Sequence, residues 1–302
     1  MIEIIRPFSP RRFKVVVFDF DGTLSLLRTG WQQIMVDLMF ETLNCRPPES
    51  ESRQSGGAEL TAQQSPGPKT RNPKPDRRVL RELVDQSTGR QTIDQMLILA
   101  DLMRSQRTVP AASTDSGLSQ EAIRYKHIYL RRLKQHMASR LVALQSGRCP
   151  AQNFLVAGAS EFLQWLSNKG CVLCLISGTD QREVLQEARL LEIDQFFGSR
   201  VFGGLDETGA FSKLGAMRQV LSECNSHSQV MIAFGDGIVD IRSAKDLGTL
   251  AIGVASNEDQ GHGLNAGKRL QLISAGADAV IGDYSGYAEW GPRLFGGQAT
   301  DK

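Results

Sequence analysis

No run of apolar residues in this sequence approaches the roughly 20 that span a bilayer, which excludes a helical membrane anchor within it. The first residues, with Arg11, Arg12 and Lys14 ahead of a four-residue apolar run, do not have the form of a secretory signal. Charge of one sign is also scarce. The formal net charge of +2 is too small to argue for nucleic acid or a membrane surface as a partner. Histidine is limited to His127, His136, His227 and His262, whose spacing matches no zinc site. The five cysteines (Cys45, Cys149, Cys171, Cys174 and Cys224) form an odd set without a disulfide framework. Cys171 and Cys174 mimic a C-x-x-C pair, but they fall in an apolar strand, where free cysteine packs as a small hydrophobe. These absences predict a soluble, cytoplasmic protein. Its 302 residues and 41% hydrophobic content suit one large or two medium domains around a real core.

What the chain does have begins with Val15-Val16-Val17-Phe18-Asp19-Phe20-Asp21-Gly22-Thr23. Four apolar residues predict a short buried strand that delivers two acids, one residue apart, into a Gly-Thr turn. Burying a carboxylate is costly unless something compensates it, so the pair points to a bound cation, a reacting group, or both. A hard ion such as Mg2+ takes oxygen ligands and shares them with phosphate. The plain alternative is a strand running into a common Asp-Gly turn.

Three later segments bear on that choice. Val172-Leu173-Cys174-Leu175-Ile176-Ser177-Gly178-Thr179 reads as a strand ending in hydroxyl, glycine, hydroxyl. A helix follows, with Asp180 and Glu183 at its start and Val184, Leu185, Ala188 and Leu191 as its apolar stripe. Such a terminus offers free backbone N–H groups to an anion. Lys213 precedes the helical set Leu214, Met217, Val220 and Leu221, and on its own would be an ordinary surface lysine. Val230 to Asp240 then repeats the theme: a buried strand runs into Gly235-Asp236-Gly237, and Asp240 falls in the first turn of the next helix. There Asp240 could face the Asp236 loop or only complement the helix dipole.

Taken jointly, strand–DxDGT, strand–SGT, Lys and strand–GDGxxD occur in this order, and the chain resembles the haloacid dehalogenase superfamily of phosphatases and phosphotransferases. The resemblance covers about residues 12 to 25 and 152 to 283. It implies Asp19 as the nucleophile and Asp21 as the general acid and base, whose backbone carbonyl also binds Mg2+. It implies Ser177 as the hydroxyl on the phosphoryl oxygens and Lys213 as the cation that neutralises them. Asp236 would bind the metal, and Asp240 would support it or orient the lysine. The implied metal set is therefore Asp19, Asp21, Asp236 and Asp240. Backbone groups of Gly22, Thr23, Gly178 and Thr179 would add dipoles around the phosphate. The dehalogenating branch lacks an acid at the second position, so Asp21 favours phosphoryl transfer. No motif is missing.

The chain reads as core, insertion, core, giving an α/β fold: a Rossmann-like parallel sheet with helices on both faces and an inserted all-helical cap. Residues 1–25 and 152–302 form the core, and 26–151 the cap. Strands are predicted near 13–19, 171–177, 230–234, 249–254 and 278–282, with the four motifs at their carboxyl ends, where such sheets bind ligands. A helix follows with Trp31, Ile34, Met35, Leu38 and Met39 on one face. Residues 46–75 hold six of the eleven prolines and almost no large apolar residue, which predicts a mobile loop. Helical periodicity resumes with Val79, Leu80, Leu83 and Val84 and breaks at Ser87 to Gln91. It continues through Ile93, Met96, Leu97, Ala100 and Met103, breaks again around Pro110 to Gly117, then runs from Ile123 to Leu144. This insertion point is that of a helical cap closing over small substrates, and 180–212 is too short for a cap placed later.

Substrate identity is where the sequence falls silent. Arg90, in the Ser-Thr-Gly-Arg break between cap helices, is either a substrate contact or an ordinary loop arginine. Arg28 could touch a leaving group or line the hinge. Arg124, Lys126, Arg131, Arg132 and Lys134 read as a solvated helix face. Gly267-Lys268 suggests a phosphate loop, but Arg269 stands where Ser or Thr is required and His262 replaces the first glycine. The leading expectation is a Mg2+-dependent phosphomonoester hydrolase acting on a small phosphorylated metabolite, such as a sugar phosphate or phosphoglycolate. The alternatives are a phosphomutase using the same aspartyl-phosphate and a non-catalytic phosphate-ligand sensor or scaffold. Monomer and dimer are both compatible with the sequence.

Overall fold

The structure is a computed structural model that describes residues 1–9, 11–44, 75–105, 115–204 and 211–296. The 46–75 segment, expected to be mobile, lies outside the described residues except for its last position.

Its centre is a seven-stranded sheet. In chain order the strands are β1 (Ile2–Ile4), β2 (Val15–Phe18), β3 (Val172–Asp180), β4 (Val201–Gly204), β5 (Met231–Gly235), β6 (Leu250–Val254) and β7 (Ala279–Ile281). Their spatial order is β1-β7-β6-β5-β2-β3-β4. The helices are α1 (Trp31–Asn44), α2 (Arg77–Gln86), α3 (Thr92–Ser105), α4 (Asp115–Gln145), α5 (Ala159–Asn168), α6 (Gln181–Leu190), α7 (Lys213–Glu223), α8 (Ile238–Asp246), α9 (Ala266–Ala275) and α10 (Tyr287–Leu294). The five expected strands are present. The expected Rossmann-like parallel sheet with helices on both faces is present, with one antiparallel strand at its edge, β1 beside β7. β1 and β4 are additions, three and four residues long, and too short for periodicity to reveal.

β2 occupies the middle because both of its faces are apolar. Val15 pairs with Val172 on one side and Met231 on the other. Alternate side chains point to opposite faces of a strand, and here Val16 and Phe18 enter one apolar cluster while Val15 and Val17 enter another. The first cluster is aromatic: Phe162 of α5 packs 5.5 Å from Phe234, 5.3 Å from Tyr284 and 5.1 Å from Trp290. The second is aliphatic, built from Met217, Val220 and Leu221 of α7 with Ile241 and Ala244 of α8. Helices on both faces bury the strand fully, which is why four consecutive apolar residues precede Asp19.

Helices α1 to α4 lie between β2 and β3 in sequence. Asp76 caps α2, its Oδ1 accepting the Val79 N–H at 2.9 Å. Leu80 and Val84 of α2, Met96 and Leu99 of α3, and Tyr129, Leu133 and Met137 of α4 are buried. Val79, expected on the apolar face, is 48% exposed, because it sits in the first turn beside the cap. α4 begins at Asp115, inside the stretch expected to be a loop as far as Gly117. Lys126 overturns the reading of a solvated basic face: it is buried and its ammonium lies 2.8 Å from Asp180 Oδ1. That pair ties the insertion to the residue just after the Ser-Gly-Thr turn. Asp180 precedes α6 as expected but makes no side-chain cap bond to it.

Candidate active site

Asp19 and Asp21 leave the carboxyl end of β2 in a tight turn. The Phe20 carbonyl accepts the N–H groups of Leu24 and Ser25, both at 2.9 Å. Gly22 makes the turn possible: its φ is +72°, and a Cβ there would stand 2.2 Å from Asp236 Oδ2. Ser256 donates its hydroxyl to the Gly22 carbonyl at 2.5 Å, fixing the turn from β6's side.

Lys213 is the pivot beneath the acids. It opens α7, with Ser212 as the cap accepting the Gly215 N–H at 3.0 Å. Its ammonium donates to Asp19 Oδ1 at 2.5 Å and to Asp240 Oδ1. The other oxygen of Asp240 accepts the Gly237 N–H at 3.1 Å, so the first turn of α8 faces the Asp236 loop. Both oxygens of Asp240 are thus engaged, which suits orienting Lys213. Above, the Thr179 hydroxyl donates to Asp21 Oδ2 at 2.8 Å, and the Thr179 N–H donates to Ser177 Oγ at 3.1 Å. Among the described residues Asp21 Oδ1 has no hydrogen-bond donor, and it lies 3.6 Å from Arg28 Nε.

Burial sets the protonation of this group. It pushes Asp19 up to about 6, with Asp240 adding repulsion and Lys213 opposing it. Burial pushes Asp21 up to about 7 against the pull of the Arg28 guanidinium. Asp236 rises to about 7 for the same reason, against Lys268. Burial pulls Lys213 down, but Asp19 and Asp240 outweigh it and hold the ammonium above the ordinary lysine range. Among the described residues, carboxylates at this site outnumber their partners. Asp19, Asp236 and Asp240 bring ligand oxygens within 4.8 Å of one another. Against them stand Lys213 and Lys268, the latter shared with Glu258. A buried excess of negative charge made of hard oxygen donors fits a divalent cation such as Mg2+. The Asp21 carboxylate is not part of that cluster, being turned toward Thr179 and Arg28.

Asp19, Asp21, Ser177, Gly178, Thr179 and Asp236 line one cavity, together with Arg28, Trp31, Gly89, Arg90, Gln95 and Tyr129 from the insertion. Lys213 and Asp240 lie under its floor. Gly22 and Thr23 stand behind Asp21 rather than in the wall, and Thr23 is fully buried with its hydroxyl unpaired. The lid is the Ser87–Gln91 break. A Cβ on Gly178 would stand 2.3 Å from the Arg90 carbonyl oxygen, and one on Gly237 2.7 Å from that of Thr88. Gln91 Nε2 reaches across to the Phe211 carbonyl at 2.8 Å. The enclosed space is only about 40 Å³, room for a few waters.

Arg28 lines the cavity and is held there by two acids of α6. Its Nη2 lies 2.6 Å from Glu187 Oε1 and 2.7 Å from Glu183 Oε2, and its Nε 3.0 Å from Glu187 Oε2. Sequence reasoning missed Glu187, Tyr129 and Gln95, which no local pattern marks. It also missed Lys268, whose Nζ lies 2.6 Å from Asp236 Oδ2 and 2.7 Å from Glu258 Oε1. The signal was Gly267-Lys268, which fails as a phosphate loop and reaches the site from α9 instead.

Comparison with known proteins bears on the family and the fold. The phosphorylated carbohydrates phosphatase of Thermotoga maritima is 31% identical over 125 residues, 41% of this chain and 54% of that protein. The chain thus spans about half the length of that curated relative. A predicted phosphoglycolate phosphatase from Haemophilus somnus matches with a TM-score of 0.53 at 15% identity, covering 92% of this chain and 97% of that one. β-Phosphoglucomutase from Clostridium difficile matches with a TM-score of 0.56 at 10% identity, covering 93% and 97%. At such identities these two structures speak for the fold alone. A profile of haloacid dehalogenase-like hydrolases matches residues 13–248, from the strand that carries Asp19 to the helix that carries Asp240, and the chain belongs to that family.

Proposed function

We propose that the chain is a phosphomonoester hydrolase of a small phosphorylated metabolite, a sugar phosphate above all, working through an aspartyl-phosphate on Asp19. The observation that carries the reading is the division of labour between two acids in one cavity. Asp19 has one oxygen on the Lys213 ammonium, which favours the carboxylate. Asp21 is held higher, at about 7, with no hydrogen-bond donor to Oδ1 among the described residues. Two acids in unlike environments suit unlike duties.

Asp19 attacks phosphorus, forming one P–O bond as the bond to the leaving oxygen breaks. Asp21 gives its proton to that oxygen, then takes one from the water that attacks the aspartyl-phosphate, releasing inorganic phosphate and regenerating Asp19. Ser177, Thr179 and the backbone about Gly178 bind the phosphoryl oxygens, and Lys213 offsets charge beside Asp19. Asp19, Asp236 and the Asp21 backbone carbonyl would hold Mg2+, with Asp240 behind them orienting Lys213. When bound, the ion supplies positive charge to the phosphoryl group. Residues 26–151 act as the cap over a core of 1–25 and 152–302, and Arg90 is the cap's candidate contact to substrate. The Thermotoga phosphatase's name supports the carbohydrate class. Transfer of the phosphoryl group to a second hydroxyl in place of water, as in a mutase, is the alternative outcome of the same intermediate.

The test is phosphate release from a panel of sugar phosphates, phosphoglycolate and an aryl phosphate, with Mg2+ or chelator, for wild type and Asp19→Asn. Metal-dependent release lost in D19N supports the hydrolase. Isomerised sugar phosphate without free phosphate supports the mutase. Neither product from folded, metal-binding protein refutes both.

A further inference from the structure

Two lysines, not one, touch the acid cluster, and the second has no duty in the reaction above. Lys268 lies in the first turn of α9, where a cation opposes the helix dipole, so helix stability does not account for it. Asn265 caps that helix by accepting the Lys268 N–H at 3.0 Å, which fixes the lysine's backbone. Its side chain is 14% exposed and passes a polar cleft of about 480 Å³ to reach Asp236. Nζ is 2.6 Å from Asp236 Oδ2, 2.7 Å from Glu258 Oε1 and 3.5 Å from Ser256 Oγ. Withdrawing the ammonium would leave Glu258 and Asp236 unpaired in a largely buried place.

The consequence lies in which oxygens remain. Lys213 occupies Oδ1 of Asp19, and Lys268 occupies Oδ2 of Asp236. Each acid therefore keeps one oxygen free of a lysine, and that oxygen is the easier ligand for an ion. Mg2+ wants six ligands in a tight octahedron, one oxygen from each carboxylate. Ca2+ is larger, takes six to eight oxygens and gains from carboxylates that ligate through both. We infer that Lys268 is a selectivity residue: by holding Asp236 Oδ2 it favours one-oxygen ligation by that carboxylate and biases the site toward Mg2+ over Ca2+. The inference rests on the cation site of the proposed function and concerns binding alone.

The test is calorimetric titration of Mg2+ and of Ca2+ into metal-free, substrate-free protein: wild type, Lys268→Met, Lys268→Gln and Lys268→Arg. Removing the buried positive charge should tighten both ions, and Ca2+ more. The preference for Mg2+ is expected to fall about tenfold or more in whichever of K268M and K268Q gives a cooperative melt, and to persist in K268R. An unchanged ratio of the two affinities, or an equal gain for both ions, overturns the inference and leaves the hydrolase reading standing. Wild type that takes up neither ion overturns the cation site and this inference with it.

Discussion

Replacing Arg28 with methionine should unfold this protein more readily than any comparable change on its surface, and the reason is the company the guanidinium keeps. Arg28 is 4% exposed and lies within hydrogen-bond distance of both oxygens of Glu187, itself 7% exposed. Two unit charges about 4 Å apart attract by about 4 kcal/mol at an effective dielectric near 20. The desolvation of both offsets much of that, so the intact pair contributes little net stability. Deleting one member is different, because Glu187 stays behind, buried and charged. R28M is expected to cost about 3–5 kcal/mol. The contact to Glu183 adds little, since that side chain is 41% exposed and screened. Changing Glu187 to methionine as well removes the stranded charge, so R28M/E187M should be more stable than R28M by about 2–3 kcal/mol. The assay is urea denaturation of wild type, both single variants and the double variant, followed by tryptophan fluorescence. Additive single effects, or an R28M cost below about 1 kcal/mol, would refute the view of Arg28 as a buried charge held by Glu187.

Three further outcomes follow from the same structure. Gly178→Ala puts a methyl 2.3 Å from the Arg90 carbonyl oxygen. It should lower turnover about 100-fold by pushing Arg90 and the backbone about Gly178 apart while leaving the core's melting temperature nearly unchanged, and equal activity would show that this close approach is not needed for the reaction. Phe162→Ala opens a void between Phe18, Phe234 and Tyr284 and should cost about 3–5 kcal/mol in the same urea assay. The metal-free protein should melt higher at pH 5 than at pH 8. Burial raises Asp19 to about 6 and Asp21 and Asp236 to about 7, so between pH 4 and 7 the native state keeps protons that the unfolded chain has released. Stability therefore falls as pH rises through that window, by about 1.4 kcal/mol per unit of upward shift. Mg2+ should narrow the gap by binding the ionised native form, and a melting temperature that is flat or rises with pH would sink the argument.

The core was legible because its physical demands are local. A strand buried on both faces needs an unbroken apolar run, and Val15 to Phe18 supplies one that ends at Asp19. A helix that must present Asp240 to a neighbouring loop needs that acid in its first turn, and the spacing from Asp236 shows it. The short edge strands were hidden because Ile2–Ile4 and Val201–Gly204 carry too few residues to establish a period. Lys126 was misread, and Lys268 passed over, for a deeper reason. On a helix surface a lysine bound for solvent and one bound for a buried acid look the same, and only the facing element decides. For Lys126 that element is the residue after β3, and for Lys268 it is the loop after β5. The lid adds a constraint of the same kind. Gly89 and Arg90 of the insertion stand against Gly178 after β3, leaving about 40 Å³ of space in the cavity they share. The cavity wall is assembled from residues far apart in sequence, Gln95 and Tyr129 on one side and Ser177 and Asp236 on the other. No spacing along the chain encodes that set, because it is defined by which elements face one another across the cavity.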